Sequence, residues 1–393
     1  MIGQTEGSSL LIRLLVNFLV MAAFACGPLP RAGVKKPDLN ILPVSSKMTG
    51  LVLTSTDSSY TSSALYWYDF SLGTVTALSG AESGDLLTKW DGAKLWLFNR
   101  SAGRLSYSYL SPKGGSDSRT NEYSSLSRIA GDPTAITWTR DHIAVLLNGV
   151  EGRVEFADLG RSAFVQDGIS GPATGDADVP FRPGVAAITG EDIAIFHQQL
   201  DTSWTARGAG SVFLTSKNAN GVFEFADLNA SDAGIQGIRL TISNPVGVFG
   251  CESDSESCYV GGVCYESFGS QCAGGVDKIS WPDQVVTRVA SWDAGTWAAG
   301  GITGGPAPQT AVACLSLPGK SVATLALIDL ASGAIKRTYA TGSKYCGPFV
   351  SDNVLGRVFL VDQSNLLELN QDLTLISSQS LPWTVSGLEA VNE

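Results

Sequence analysis

The chain has 393 residues and a formal net charge of −11. That acidic balance excludes the basic face which phosphate binding requires, so nucleic acid is not an expected partner. Hydrophobic residues make up 44% and charged residues 16%, the latter below the ~25% of ordinary globular chains, which leaves ample material for a buried core.

The N-terminal stretch "LLVNFLVMAAFAC", Leu14 to Cys26, is an uncharged run behind Arg13. It is shorter than the ~20 residues of a transmembrane helix and matches a signal-peptide core. It ends Ala23-Phe24-Ala25-Cys26, which resembles the bacterial lipobox. The resemblance implies a signal peptide over 1–25 and acylation of Cys26 as the new N-terminus. Ala23 and Ala25 also satisfy the ordinary small-residue cleavage rule, which leaves a soluble secreted protein as the alternative. The expected address is thus the bacterial envelope, with the membrane reached through the N-terminal lipid on either the periplasmic or the surface face. Residues 26–48 contain Pro28, Pro30, Pro37 and Pro43 without sustained periodicity; they are expected to form a tether.

Beyond Cys26 six cysteines remain: Cys251, Cys258, Cys264, Cys272, Cys314 and Cys346. An even set in an exported chain reads as disulfides. Zinc is disfavoured, because the first four are too widely spaced for paired C-x-x-C knuckles and His is scarce. The first four are expected to pair among themselves, which leaves Cys314 with Cys346.

From 49 to 393 the chain reads as short strands of period 2 separated by Gly, Asn, Asp and Ser. One hairpin recurs. In "ALYWYDFSLGTVTALSG" Asp69 is followed four residues later by Gly73, and in "LALIDLASGAIKRTYATG" Asp329 is followed by Gly333. Asn99 and Gly103, Asn148 and Gly152, and Lys217 and Gly221 keep the spacing. Asp or Asn ends a strand by bonding its own turn backbone, and Gly supplies the positive φ that reverses the chain. Between 135 and 240 this hairpin joins either second to third or third to fourth strands of a repeat; the spacing does not choose.

Repeats of about four strands fall at 81–128, 129–180, 181–232, 233–291, 292–342 and 343–381. A seventh forms from three strands in 49–80 and one near the C-terminus, from Trp383 to Val391, so that the last strand closes the ring and hides an edge. The chain resembles bacterial β-propellers of the YVTN and quinoprotein-like repeat group, with "LALIDLASGAIKRTYATG" as the nearest match. The resemblance implies an all-β propeller of four-stranded blades, seven of them, with six or eight as alternatives.

Chemistry is sparse. His142 and His197 lie in apolar strand patterns, where a structural role is expected. Asp176 and Asp178, and Glu191 and Asp192, are paired carboxylates in turn-like contexts, whereas glycosidase chemistry needs two carboxylates facing one cleft. "GDADVP" around Asp176 and the acidic "CESDSESC" around Asp254 lack the spacing of a calcium loop and read as solvated acidic loops. No nucleophile elbow, phosphate loop or zinc-protease motif occurs, and no catalytic residue, metal or cofactor is expected. Trp67, Trp96 and Trp138 are expected between blades, and Trp281, Trp292, Trp297 and Trp383 near blade junctions. Three functions compete. The first is a lipid-anchored protein-binding or scaffolding module with an envelope or surface partner. The second is a propeller enzyme of the hydrolase, lyase or quinoprotein type. The third is a glycan- or ligand-binding surface protein that uses a disulfide-rich loop at Cys251–Cys272.

Overall fold

The structure, a computed structural model, describes residues 48–78, 82–90, 95–100, 104–108, 121–123, 133–139, 143–148, 151–158, 163–174, 178–189, 192–228, 235, 237–251, 256–265, 268, 272–292, 297–317 and 319–392. Residues 1–47, which hold the expected signal peptide, Cys26 and all but the last residue of the expected tether, lie outside them, as do His142, Asp176, Glu191 and Asp254.

Seven antiparallel sheets are present among these residues. Blade 1 is Gly387–Asn392, Met48–Thr56, Ser62–Asp69 and Thr74–Ala77, and blade 2 is Leu86–Trp90, Leu95–Asn99, Arg104–Ser108 and Asn121–Tyr123. Blades 3 and 4 begin at Pro133–Trp138 and Pro183–Thr189, and blades 5 and 6 at Pro245–Phe249 and Trp297–Gly304. Blade 7 runs from Phe349–Asp352 through Arg357–Asp362 and Asn365–Asn370 to Leu375–Ser380. Each sheet is an up-and-down meander, and the sheets stand in a ring: the fold is a β-propeller.

Period-2 alternation explains the packing. Blade strands are buried on both faces, so their second strands read as unbroken apolar runs whose odd and even residues enter different cores. Leu51 and Leu53 pack with Phe359 and Val361 between blades 7 and 1. Val52, between them in sequence, packs with Leu86, Leu95 and Trp67 between blades 1 and 2. Likewise Val312 and Cys314 face blade 7, whereas Ala311, Ala313 and Leu315 face blade 5. The blade 5–6 seam is close: a Cβ on Gly261 would overlap the side chain of Ile302, so only glycine admits that isoleucine.

The recurrent hairpin is a turn device. Asp69 Oδ1 accepts the Ser71 N–H at 2.7 Å, and Gly73 N–H returns to the Asp69 carbonyl at 2.8 Å. Asp329 Oδ1 accepts from Ala331 at 2.9 Å, and Gly333 N–H returns to the Asp329 carbonyl at 2.8 Å. Gly73 and Gly333 take φ of 63° and 73°, the left-handed region that favours glycine. The strand ambiguity resolves both ways: Asp69, Lys217 and Asp329 end third strands, while Asn99 and Asn148 end second strands.

Two expectations change. The closing strand begins at Gly387 rather than Trp383, because Trp383 stacks on Tyr66 with centroids 3.7 Å apart and Ser386 bonds the Thr54 carbonyl at 2.7 Å. These contacts hold the preceding segment as a linker. The cysteine-rich stretch of blade 5 is not one loop. Cys251–Cys258 staples the connection of first to second strand, and Cys264–Cys272 the connection of second to third, at opposite ends of Ser257–Gly262. Cys314–Cys346 ties the second strand of blade 6 to the linker entering blade 7.

Candidate functional site

In a meander, first-to-second and third-to-fourth turns share one face of the ring, and second-to-third loops share the other with the blade-to-blade linkers. On the first face, blades 7 and 1 part to leave a cleft of about 520 Å³. Its floor comes from the seam that ring closure creates. Met48 and Thr49 enter there, and the Met48 N–H is fixed by the buried Asp352 Oδ2 at 3.2 Å.

The walls are aromatic. Phe70, just past the third strand of blade 1, stacks on Phe359 of blade 7 at 4.6 Å, and Tyr68 meets the Phe70 ring edge-on at 5.6 Å. Trp67 also reaches the cleft, lying against Gly50, where any Cβ would strike its ring. Beside Phe359 on the same blade stands a polar group: Arg357 Nη1 pairs with Glu368 Oε1 at 3.1 Å, and Ser377 Oγ donates to Glu368 Oε2 at 2.8 Å. Glu368 is the cross-strand partner of Phe359. Burial, helped by the negative charge of Glu368, raises the pKa of the Tyr68 hydroxyl. Tyr68 therefore stays protonated and presents an O–H. Asp69 lines the rim, but its Oδ1 is spent on its own turn, and the Ser71 hydrogen bonds hold its carboxyl below the usual range. The cleft thus presents flat apolar rings beside a fixed guanidinium, carboxylate and phenol.

The other polar residues inside the ring mostly clasp linkers. His197 Nδ1 accepts the Arg182 N–H at 3.0 Å, and its Nε2 lies 3.0 Å from Gln199 Oε1. Burial lowers its pKa to about 4, so the ring is neutral. Asp277, fully buried, accepts from the main-chain N–H groups of Thr241 and Ile242 at 2.6 and 3.2 Å and pairs with Arg288 Nε at 2.9 Å. Asp362 accepts from Gly342 at 2.7 Å. Among the described residues no group of three His, Cys, Asp or Glu stands close enough to hold a metal ion. The tryptophans do serve the seams: Trp67 lies in the blade 1–2 core, Trp281 against blades 4–5, Trp292 against blades 5–6 and Trp383 against blades 7–1. Trp96 is buried. The side chains of Trp138 and Trp297 lie outside the description.

Comparison of the sequence with family models and with curated proteins finds no match. Solved structures do match. A putative 6-phosphogluconolactonase from Bacteroides fragilis aligns with a TM-score of 0.60 at 14% identity, over 90% of this chain and 100% of that one. The periplasmic gluconolactonase of Pseudomonas aeruginosa aligns with a TM-score of 0.59 at 14% identity, over 88% and 99%. A protein from Lactobacillus plantarum aligns with a TM-score of 0.57 at 10% identity, over 88% and 100%. At these identities the likeness is one of fold.

The cysteines were legible from sequence and the cleft was not. Its rings and its ion pair come from segments nearly 300 positions apart, and only closure of the ring brings them together.

Proposed function

We propose that the protein is an exported β-propeller, anchored through acylated Cys26, that works as a binding module and takes a saccharide in the cleft between blades 7 and 1. The observation that carries this reading is the Phe70–Phe359 stack set beside the Arg357–Glu368 ion pair in one cleft. Sugar rings present apolar C–H faces, which pack on aromatic rings, and hydroxyl edges, which need fixed donors and acceptors. A concave cleft of about 520 Å³ is the size of small-molecule sites, whereas protein partners meet broader surfaces. Three disulfides support an oxidising compartment, since such bonds persist mainly outside the cytosol.

The test is a glycan array probed with the processed protein, followed by calorimetric titration of any retained saccharide. Phe70→Ala should weaken binding about tenfold, the loss of one stacked ring. An enzymatic reading draws on two structural neighbours, a putative 6-phosphogluconolactonase and a gluconolactonase. Hydrolysis of glucono-δ-lactone by the purified protein above the buffer rate would favour it over binding alone.

A further inference from the structure

The opposite face of the ring carries a second polar centre. Arg182, at the entrance to the first strand of blade 4, is only 7% exposed, and its Nε is buried without a hydrogen-bond partner. Among the described residues no carboxylate forms an ion pair with it. The carboxylate whose charge acts on it, Asp201, spends its hydrogen bonds elsewhere. Its Oδ1 accepts the N–H groups of Ser203 and Thr205 at 2.8 and 2.9 Å, and its Oδ2 accepts Arg207 Nε at 2.8 Å. His197, neutral, adds no countercharge. Arg239 approaches the same loop beside Gly208. Arg207 pairs with Asp201 and Arg239 stands beside the loop, so among the described residues Arg182 has no hydrogen-bonded carboxylate of its own on a chain whose net charge is −11.

A buried guanidinium whose N–H lacks a hydrogen-bond partner is disfavoured unless something supplies one. The loop above it is built at a cost as well. Trp204 sits at φ 61°, a conformation that bulky side chains rarely adopt. That backbone sets the indole over the guanidinium, 4.3 Å from the Arg182 Cζ to the ring, while leaving Trp204 45% exposed. Stacking covers the face of a guanidinium and leaves its in-plane N–H groups directed outward, in the arrangement that grips an oxyanion through two parallel bonds. The loop is braced from blade 5: Ala206 N–H bonds the Phe268 carbonyl at 2.9 Å, and Leu200 and Ala206 pack on Phe268 beside the Cys264–Cys272 bridge.

We propose that this face of blade 4 is a receptor for a small oxyanion, a carboxylate or phosphate group, gripped in-plane by Arg182 beneath the roof of Trp204. It stands on the face opposite the saccharide cleft and is independent of it, so either can fail alone.

The experiment follows tryptophan fluorescence and thermal midpoint of the processed protein at constant ionic strength. It compares inorganic phosphate, glucuronate and uncharged glucose against chloride. Phosphate, glucuronate or both should quench saturably and raise the midpoint, and the stronger of the two identifies the source; glucose should do neither. Arg182→Met should keep or raise the midpoint in anion-free buffer, since it removes a buried charge with an unsatisfied N–H, and should weaken the anion response at least about tenfold. Trp204→Phe should lose the fluorescence signal and keep the midpoint shift. The proposal is overturned if neither anion differs from chloride, or if Arg182→Met responds like the parent. An Arg182→Met chain that unfolds also overturns it, because the guanidinium would then be a structural cation.

Discussion

Thr49 donates its hydroxyl to the Val391 carbonyl at 3.3 Å, across 342 positions of sequence. Around it Met48–Thr56 pairs on one side with Gly387–Asn392 and on the other with Ser62–Asp69. The two ends of the propeller therefore share one blade. Removing Gly387–Asn392 would open the edge of a strand whose Leu51, Val52 and Leu53 are fully buried. Loss of Val391 burial alone costs about 2 kcal/mol, before the lost ladder is counted. Urea unfolding of the truncated protein should show a clearly lower midpoint; an unchanged one would contradict closure by this strand.

Asp277 is a clasp for the linker between blades 4 and 5. Asp277→Asn would set an amide N–H₂ against donors already in place and leave Arg288 without its countercharge. Breaking such a buried pair costs about 3 kcal/mol. Denaturant titration should register that loss while the blades of the surviving fold keep their strand signal in circular dichroism.

His197 gives the fold a pH dependence of known sign. Burial lowers its pKa from 6.5 to about 4, so the unfolded chain takes up a proton in that interval and the folded protein does not. Stability should fall as pH drops from about 6.5 to about 4, by roughly 3 kcal/mol in all, and this contribution should level off below. The turn carboxylate of Asp69, held low by Ser71, and that of Asp201, held low by the Thr205 N–H, act separately. Their contribution is present above the ordinary carboxylate range and is lost only at lower pH. His197→Gln should flatten the upper interval and leave the acid limb in place.

Peptide mapping without reductant should return Cys251–Cys258, Cys264–Cys272 and Cys314–Cys346. Replacing Cys314 and Cys346 together by Ala should cost about 4 kcal/mol, the chain-entropy value for a loop of that length, measured by thermal unfolding. Cys26→Ala should release the protein from the membrane fraction; full retention would contradict the lipid anchor.

Much of the fold was legible because its signals are local. The Asx–Gly turn needs only five neighbouring residues, and burial on both faces writes itself as apolar runs such as "IAVLLN". Boundaries followed less well where side chains override pattern: the closing strand starts late because Trp383 is engaged with Tyr66. The split fourth strand of blade 4, Phe223–Phe225 and Ile238–Arg239, has no periodic signature. Both candidate sites were invisible for a different reason. Arg182 gains meaning only from the missing hydrogen-bond partner of its Nε, and Phe70 only from Phe359, neither of which sequence spacing records.

The most direct test of the binding account is calorimetric titration of the array-selected saccharide into the parent protein and into Phe70→Ala and Glu368→Gln. The account predicts saturable binding to the parent, weakened about tenfold by either change, with unfolding midpoints close to the parent's. Equal affinity in all three proteins, or no saccharide retained at all, would contradict it.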